Sequence, residues 1–374
     1  MAATVLTGAT GFVGQEILAR LLAAPGDAPV VLPIRSSQGA SAAQRGEALF
    51  ERTIPDLDAR DRLRRRLRVV EVDLADERSW KSDVFLDQLE GASCRVIHGA
   101  ASVSFDMPLA QARAVNVQGT QRMLQLAGDL ARRNLLDSFA YISTAFVAGE
   151  RNGTAFEHEL DVGQDFANSY ERTKFEAESS VQQRAGSIPL SVFRPSIVAG
   201  DSRTGATNSF KVLYWPIKVV ARGLVPCFPG RREASYDIVP VDFVADALLH
   251  ILESEPASGR TFHLTSARTV TMQRLLEVTA EVFGLRRIPP VVTPQLYHRL
   301  VEPLMRVVLW GKTRETMLGA GRAYFPYLVR SLCFDHANTA SAVRSEGIAL
   351  PDTEEYVRKI LHFARETNFG QAGG

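Results

Sequence analysis

The sequence predicts an α/β fold in which a parallel β-sheet is covered by helices on both faces. Short apolar runs typical of buried strands alternate with helical patterns over roughly the first 265 residues. The first run, residues 4–6, leads through a glycine-rich turn into a helix, as in a βαβ nucleotide-binding unit. About the last hundred residues are mainly helical in pattern. We therefore predict a Rossmann-type doubly wound parallel sheet with a smaller, mainly helical C-terminal region that binds the substrate.

The composition narrows the class of protein. The chain has 374 residues, of which 45% are hydrophobic, and this is enough for the core of one or two domains. A net charge of +1 gives no electrostatic reason to expect a nucleic-acid partner. The three cysteines lack metal-site and redox-motif spacing, so we expect no bound metal and a reducing, cytoplasmic setting. The apolar runs also predict neither a signal peptide nor a transmembrane segment.

Residues 7–14 (TGATGFVG) carry three glycines at a Gly-x-x-Gly-x-x-Gly spacing. We expect Gly8 to permit a tight turn, Gly11 to let a pyrophosphate approach the backbone, and Gly14 to let the helix pack closely. The phosphates would lie on free N–H groups at the helix start. Glycines also occur in ordinary turns, and the position between strand and helix is what favours a dinucleotide site. The candidate cofactor residues here are Gly8, Thr10, Gly11, Phe12, Val13 and Gly14.

The second predicted strand, residues 30–34, is followed by Arg35 and Ser36. This is about where a dinucleotide fold meets the adenosine ribose. An acidic residue here would bind a free 2′-hydroxyl and repel a 2′-phosphate, and the sequence has none. Because an arginine followed by serine suits a phosphate, we predict NADPH as the cofactor. The alternative is an ordinary surface arginine after a strand.

Two further strands and a basic segment follow. Residues 39–66, with Arg64–Arg66 in one run, are expected to form a solvated helix and not a nucleic-acid patch. Residues 69–74 and 95–101 are the third and fourth predicted strands. The fourth ends in Ala100 and Ala101, and such small residues let a flat cofactor lie against the backbone. Tight packing under a helix is the alternative.

Two further stretches carry polar side chains that are candidates for a binding site. Residues 108–133 are helical in pattern, with Asn116 at mid-helix, where asparagine has poor propensity. Asn116 is therefore either simply exposed or hydrogen-bonded into a site. The fifth predicted strand, residues 139–142, is followed by Ser143 and Thr144. Hydroxyl groups just past a strand lie at the ligand-binding edge of an open sheet.

Tyr170 and Lys174 are four positions apart on a predicted helix, so their side chains share one face. A nearby cation favours the phenolate, and we therefore expect a lowered pKa for Tyr170. An isolated Tyr-x-x-x-Lys pair usually has only a structural role. Its order here, after a glycine loop and a hydroxyl-bearing strand end, is the specific signal.

After a sixth predicted strand at residues 189–195, the character of the chain changes. Residues 201–233 mix bulky apolar side chains with the basic residues Lys211, Lys218, Arg222, Arg231 and Arg232. They form either a packed loop region or the wall of a site for an apolar chain with an anionic end. We predict an NADP-binding domain at residues 1–200, to which residues 234–265 return. Residues 201–233 and 266–374 would form the substrate-binding region, with residues 296–310 apolar on one side.

Taken in order, these motifs resemble the extended short-chain dehydrogenase/reductase family. They are residues 7–14, Asp73 with Leu74, residues 116–120, Ser143 with Thr144, residues 170–174, residues 194–195 and residues 237–242. The chain is most similar to the thioester-reductase branch, which includes fatty acyl-CoA reductases and terminal reductase domains of peptide synthetases. Three stretches carry this similarity: residues 98–106 with 116–120, residues 142–149 with 168–178, and residues 237–244.

The resemblance implies a role for each motif. Tyr170 would donate a proton to the reduced carbonyl, Lys174 would hold the nicotinamide ribose, and Thr144 would bind the carbonyl oxygen. Asn116 would support a proton relay. The further cofactor contacts would be Asp73, Leu74, Ala100, Ala101, Pro195 and Ile197. The implied reaction is the NADPH-dependent reduction of an acyl thioester, carried by CoA or by an acyl or peptidyl carrier protein, to an aldehyde. A second reduction to the alcohol is left open.

Two other functions compete with this one. The first is that of another extended-family enzyme, either a nucleotide-sugar epimerase or a hydroxysteroid-type dehydrogenase. An epimerase usually prefers NAD, and Arg35 argues against that cofactor. The second is that of a non-catalytic NADP-binding protein, against which the intact Tyr170, Lys174 and Thr144 argue. The sequence leaves the acyl length, the thiol carrier and the oligomeric state open.

Overall fold

The computed structural model describes residues 2–37, 39–210, 213–225, 227–254, 259–304, 325–344, 347–349 and 353–371. The strands are β1 (Ala3–Thr7), β2 (Val30–Ile34), β3 (Leu67–Glu71), β4 (Cys94–His98), β5 (Leu136–Ile142), β6 (Gly153–Ala155), β7 (Leu190–Pro195), β8 (Ile197–Ala199), β9 (Phe228–Pro229), β10 (Ser235–Tyr236), β11 (Ile238–Pro240), β12 (Thr261–Leu264), β13 (Val270–Thr271), β14 (Val291–Val292) and β15 (Leu332–Phe334). The α-helices are α1 (Phe12–Ala23), α2 (Ala42–Thr53), α3 (Leu57–Leu63), α4 (Ser82–Leu89), α5 (Leu109–Arg113), α6 (Gly119–Arg132), α7 (Ser169–Gln182), α8 (Tyr214–Ala221), α9 (Val241–Ser254), α10 (Met272–Phe283), α11 (Pro294–Leu296), α12 (Ala337–Val343) and α13 (Thr353–Glu366).

Seven strands form the central sheet, in the order β3-β2-β1-β4-β5-β7-β12. All neighbouring pairs in it are parallel. The strand order reverses between β1 and β4, and doubly wound sheets bind their ligands at such a switch point, beyond the carboxyl ends of the strands. The predicted Rossmann-type sheet is therefore confirmed.

Helices cover both faces of this sheet. One face packs against α1, α2 and α9 in a core that includes Ile17, Phe50 and Leu248. The other packs against α4, α6 and α7 in a core that includes Phe85 and Leu126. Strands buried on both faces read as continuous apolar runs, and every residue of β1 and β7 is buried. This is why the apolar runs located the strands.

The third and fourth strands are shorter in the structure than the sequence predicts. The third strand ends at Glu71, so Asp73 and Leu74 lie in the turn that follows it. The fourth ends at His98, and Ala100 and Ala101 lie beyond it. Because Val72 is buried although it lies outside the strand, the apolar pattern extended past the last residue of β3.

The basic segment at residues 39–66 is not one solvated helix. It consists of α2, α3 and a 3₁₀ turn at Arg64–Arg66. Arg66 is buried, and its guanidinium donates hydrogen bonds to the carbonyls of Leu21, Leu22, Ala24 and Ala28. The expectation of solvent exposure is therefore wrong for Arg66. The last carbonyls of α1 need donors from outside the helix, and the sequence does not reveal which side chain supplies them.

A further core lies in the C-terminal part of the chain, where α8, α10 and α13 pack together around Tyr214, Leu275 and Ile360. Late in the chain, β15 pairs with β6 in parallel. Lys211 and residues 305–310 of the predicted apolar face lie outside the described residues. The division of the chain into two domains stays a prediction.

Three further observations concern the cysteines, the helices and the possible metal ligands in the part of the chain that the structure describes. Its cysteines, Cys94, Cys227 and Cys333, are free. None of the described helices combines the length and apolarity that crossing a membrane requires. The described residues also contain no group of three or more His, Cys, Asp or Glu side chains that could hold a metal ion.

Candidate functional site

The glycine loop between β1 and α1, residues 7–14, is called the glycine cradle below. It has no room for a side chain at Gly8 or at Gly14. Gly8 has a φ of +78°, and a Cβ there would lie 2.6 Å from the carbonyl carbon of Gly99. A Cβ at Gly14 would lie only 2.1 Å from the carbonyl oxygen of Gly8. Gly11 is the N-cap of α1, and no side chain among the described residues caps the helix. The first N–H groups of α1 therefore suit an anion such as a dinucleotide phosphate.

Gly14→Ala should displace α1 from this turn, because the new Cβ meets backbone atoms that cannot rotate away. We expect a loss of stability of about 1–3 kcal/mol and a larger loss of dinucleotide affinity, measured by urea unfolding and cofactor titration. Gly128→Ala is the matched control, since a Cβ there meets only the end of the Arg132 side chain, at 3.6 Å. That variant should be neutral or slightly more stable. Equal behaviour of the two variants would contradict the cradle.

A buried hydrogen-bond network fixes the backbone opposite the cradle. The hydroxyl of Thr7 accepts hydrogen bonds from the N–H groups of Gly99 and Ala100, at 3.2 and 3.1 Å, and lies 2.7 Å from Nδ1 of His98. Because its lone pairs are both occupied, its proton points to Nδ1. Nε2 of His98 lies 3.0 Å from the hydroxyl of Thr120. Burial lowers the pKa of His98 to about 3, so the ring is neutral and has its proton on Nε2.

Tyr170 and Thr144 come together beyond the end of β5. Tyr170 is the second residue of α7, and the hydroxyl of Thr144 accepts from the N–H of Phe146 and donates a long, 3.4 Å hydrogen bond to the carbonyl of Pro195. Burial raises the pKa of Tyr170 to about 12, Thr144 opposes this rise, and Glu171 adds to it. The direction is opposite to the expected one, because burial disfavours the charged phenolate. The phenol is therefore protonated at neutral pH.

The Lys174 side chain is buried one turn further along α7. Its ammonium donates to the carbonyl of Ile142 at 2.8 Å and lies 4.3 Å from the centre of the Tyr141 ring. Burial lowers the pKa of Lys174 to about 7, and the negative charge of Glu178 opposes this effect. Glu178 is itself fully buried and forms an ion pair with Arg194 at 2.6 Å.

Asn116 lies in a π-helical turn, residues Ala114–Gln118, between α5 and α6. It is buried, so the alternative of an exposed asparagine is excluded. Its amide oxygen accepts from the N–H of Ser102 at 2.7 Å, and its amide nitrogen donates to the carbonyl of Ser102 and to the hydroxyl of Thr173 on α7. These contacts connect the loop after β4 with the helix that carries Tyr170. A π-turn that replaces regular helix often marks a functional site.

A cavity of about 660 Å³ lies at the carboxyl edge of the sheet and joins the glycine loop to Thr144, Tyr170 and Lys174. It continues from the sheet into an apolar branch between α8 and α10. The predicted site residues that line it are Gly8, Thr10, Gly11, Phe12, Val13, Gly14, Ala101, Thr144, Tyr170, Lys174, Pro195 and Ile197. The structure thus brings together the glycine loop, the hydroxyl-bearing strand end and the Tyr-x-x-x-Lys pair.

Other predicted site residues lie outside the lining of this cavity: Arg35, Ser36, Asp73, Leu74, Ala100 and Asn116. Arg35 is 62% exposed in its side chain, and its guanidinium lies 3.9 Å from the carboxylate of Asp73. The hydroxyl of Ser36 donates to Glu71. Arg35 and Ser36 follow β2, and Asp73 follows the neighbouring strand β3, so these three residues form a polar surface outside the cavity lining.

An aromatic group beside Tyr170 was missed by the sequence analysis. Phe105 lies 6.0 Å from the ring of Tyr170 and stacks on Tyr327 at 5.4 Å, and Phe146 meets Tyr327 edge-on. The hydroxyl of Tyr327 donates to the buried carboxylate of Glu171 at 2.6 Å. No sequence pattern pointed to Tyr327, because Glu171, Phe105 and Phe146 lie more than 150 positions away and a lone tyrosine has no periodicity.

The mixed segment at residues 201–233 divides between two environments. Its apolar residues Phe210, Ile217, Val220 and Phe228 line the cavity. None of its described basic residues lines it. Lys218 lies over the ring of Phe369, Arg222 bonds to Asn368 and Gln371, and Arg231 and Arg232 are exposed. The apolar side chains of this segment therefore border the cavity, whereas its described basic side chains lie elsewhere.

Comparisons with known proteins agree with this geometry. The fatty acyl-CoA reductase wat of Drosophila melanogaster is 30% identical over 282 residues, which is 65% of this chain and 52% of that protein. The isonitrile lipopeptide synthase of Streptomyces coeruleorubidus is 31% identical over 292 residues, 76% of this chain and 19% of that protein. The chain thus spans about half of the first relative and a smaller share of the second.

A solved structure has the same fold. It is the terminal R domain from the myxalamid PKS-NRPS biosynthetic pathway, with a TM-score of 0.79 and 22% identity, covering 100% of this chain and 93% of that one. The model of an NAD-binding family described as male sterility protein matches residues 6–248, which contain the glycine cradle, Tyr170 and Lys174. The resemblance to the thioester-reductase and fatty acyl-CoA reductase branch is confirmed, and the chain belongs to this NAD(P)-binding family of male sterility proteins.

Proposed function

We propose that this protein is an NADPH-dependent reductase that converts an acyl thioester to an aldehyde. The observation that carries the proposal is the cavity, which is bordered by the glycine cradle, by Tyr170, Lys174 and Thr144, and by an apolar branch. This supports a dinucleotide, a reacting carbonyl and an apolar chain as neighbours. The insect relative is named for reduction of the same substrate class. The thiol of the substrate belongs to CoA or to an acyl or peptidyl carrier protein.

The chemistry needs a hydride, which bound NADPH supplies to the thioester carbonyl. Tyr170 is protonated at neutral pH and donates its proton to the carbonyl oxygen. Thr144 gives up its long bond to the Pro195 carbonyl and donates to the same oxygen, where negative charge develops. Loss of the thiol then leaves the aldehyde. Addition of hydride and proton followed by loss of the thiol needs no covalent bond between the protein and the acyl group.

Lys174 and Asn116 support this reaction without donating a proton to the carbonyl. The ammonium of Lys174 lines the cavity and would hold the ribose of the cofactor by donating hydrogen bonds to its hydroxyls. The amide of Asn116 ties the loop after β4 to α7, which supports a positioning function. Its participation in a proton relay stays a prediction, since its described partners are Ser102 and Thr173.

The choice of NADPH over NADH rests on Arg35 and Ser36, which follow β2 next to Asp73. Arg35→Ala should weaken NADPH binding by roughly 10- to 100-fold, because a charge-assisted hydrogen bond to the 2′-phosphate is lost. NADH binding should be nearly unchanged. The measurement is a fluorescence titration with both cofactors, with Arg78→Ala as a control at an exposed arginine in the segment after β3. Equal losses for NADPH and NADH would contradict the assignment.

A substrate panel tests the proposed reaction against its rivals. NADPH oxidation is followed by absorbance with an acyl-CoA, an acyl pantetheine and a ketosteroid in parallel. Conversion of a nucleotide sugar in the presence of NAD is followed by chromatography, because an epimerase regenerates its cofactor and gives no net change in absorbance. We expect oxidation with the thioesters alone, and formation of an aldehyde that a hydrazine reagent traps. Turnover only with the sugar nucleotide or the steroid would replace the proposal by the corresponding activity. Tight NADPH binding without any turnover would favour a non-catalytic protein.

A further inference from the structure

The apolar branch of the cavity has a regular construction. Helix α10 lines it with Met272, Leu275, Leu276 and Thr279, which are spaced i, i+3, i+4 and i+7 and so form one stripe along the helix. On the side of α8, Leu213, Ile217 and Val220 line it with a similar helical spacing. The branch is therefore a channel between two helix faces.

The channel begins near the reacting groups and leads away from them. A Cβ at Gly230 would lie 3.3 Å from the end of the Met272 side chain and 3.5 Å from the side chain of Leu328, so Met272 and Leu328 flank the same backbone position. Leu328 follows Tyr327, whose ring stacks on Phe105 beside Tyr170. The Met272 end is thus the end nearer to Tyr170. Thr279 lies seven residues further along α10, which is about 10 Å along the helix axis.

The walls of the channel offer no charge and no free polar group among the described lining residues. The hydroxyl of Thr279 donates to the carbonyl of Leu275 in its own helix at 2.7 Å, and the hydroxyl of Tyr236 points to the sulfur of Met272 at 3.7 Å. The charged residues that line the described cavity are Arg52 on α2 and Lys174 on α7. A peptidyl or aminoacyl group would bury N–H and C=O groups here without partners.

We propose that this channel binds an unbranched aliphatic acyl chain, and that Thr279 limits its length. The inference rests on the proposed thioester reduction and adds the substrate class. The Met272 end receives the carbons next to the carbonyl, and the later methylenes lie along the α10 stripe toward Thr279. Because each methylene taken out of water favours binding, kcat/KM should rise by about fourfold for each added methylene until the chain reaches Thr279.

The first test uses S-acyl pantetheines, which carry the arm that CoA and carrier proteins share. The saturated series runs from butanoyl to hexadecanoyl. We expect kcat/KM to climb with chain length and then to stop climbing or fall. A matched series of S-alkyl pantetheine thioethers lacks the carbonyl and measures binding without reaction. Its dissociation constants should follow the same dependence on chain length.

Variants at two neighbouring buried residues of α10 test the position of the chain. Thr279→Leu should lower kcat/KM by about tenfold for the longest thioesters and leave the shortest unchanged, because the larger side chain fills the far end. Val278→Leu enlarges a buried neighbour that does not line the cavity, so it should keep the wild-type profile. Thr279→Ala should move the preferred length upward.

The outcomes separate this inference from the proposed reaction. Reduction of thioesters with a flat chain-length profile would overturn the channel and leave the reductase standing. Thioether binding that strengthens with chain length, without any thioester reduction, would support the channel and refute the reductase. Absence of thioether binding at every chain length, or the same profile for Thr279→Leu and Val278→Leu, would overturn the channel.

Discussion

Tyr170→Phe should reduce turnover of a thioester by roughly a hundredfold or more, because it removes the proposed proton donor while the ring remains. The pKa of Tyr170 near 12 means that wild type carries this proton across the whole neutral range. The phenyl ring keeps its contact with Phe105, so the fold and NADPH affinity should be retained. Steady-state rates and a cofactor titration on the same preparation measure the two effects separately.

Tyr141→Phe is the matched control for this prediction. Tyr141 is buried beside Lys174, and its hydroxyl has no hydrogen-bond partner among the described residues. Removing that hydroxyl should change turnover little and should leave stability equal or slightly higher, since an unsatisfied buried group is lost. Near-normal turnover of Tyr170→Phe would make Tyr170 a packing residue and remove it from the reaction.

The second large effect is expected for Glu178→Ala. Glu178 is fully buried, and its carboxylate accepts hydrogen bonds from the guanidinium of Arg194 and from the hydroxyl of Ser143. The substitution leaves Arg194 buried without its counter-charge, and breaking such a pair costs about 3–5 kcal/mol. The midpoint of urea unfolding should fall accordingly. The pKa of Lys174 should also fall below its value of about 7, because Glu178 opposes the effect of burial.

Glu176→Ala provides the comparison on the same helix. Glu176 is partly exposed and pairs with Arg113 and Arg172 near the surface, so its loss should cost at most about 1 kcal/mol. If Glu178→Ala does not fold, Glu178→Gln keeps an oxygen acceptor and should give a smaller loss. If neither Glu178 variant lowers the urea midpoint by more than Glu176→Ala does, the buried pair of Glu178 and Arg194 does not hold β7 against α7.

Several of the residues that line the cavity could be predicted from the sequence, because the signals that identify them are local. Strand and helix periodicity fixed the order of the elements, and the spacing of Gly8, Gly11 and Gly14 required a turn at which side chains do not fit. Tyr170 and Lys174 could be placed on one helix face from their spacing alone. Each of these conclusions depends on residues within a few positions of one another, where backbone geometry determines the arrangement.

The tertiary structure decided what depends on distant neighbours. It reversed the expected direction of the Tyr170 pKa, because desolvation depends on every element packed around the phenol. It buried Arg66 at the end of α1 and brought Tyr327 to Glu171, and neither contact leaves a sequence pattern. The stripe from Met272 to Thr279 is visible in the sequence, but periodicity only predicts a buried face. Whether that face meets a solid core or borders a cavity depends on how α8 and α10 pack, and their separation is a property of the folded chain.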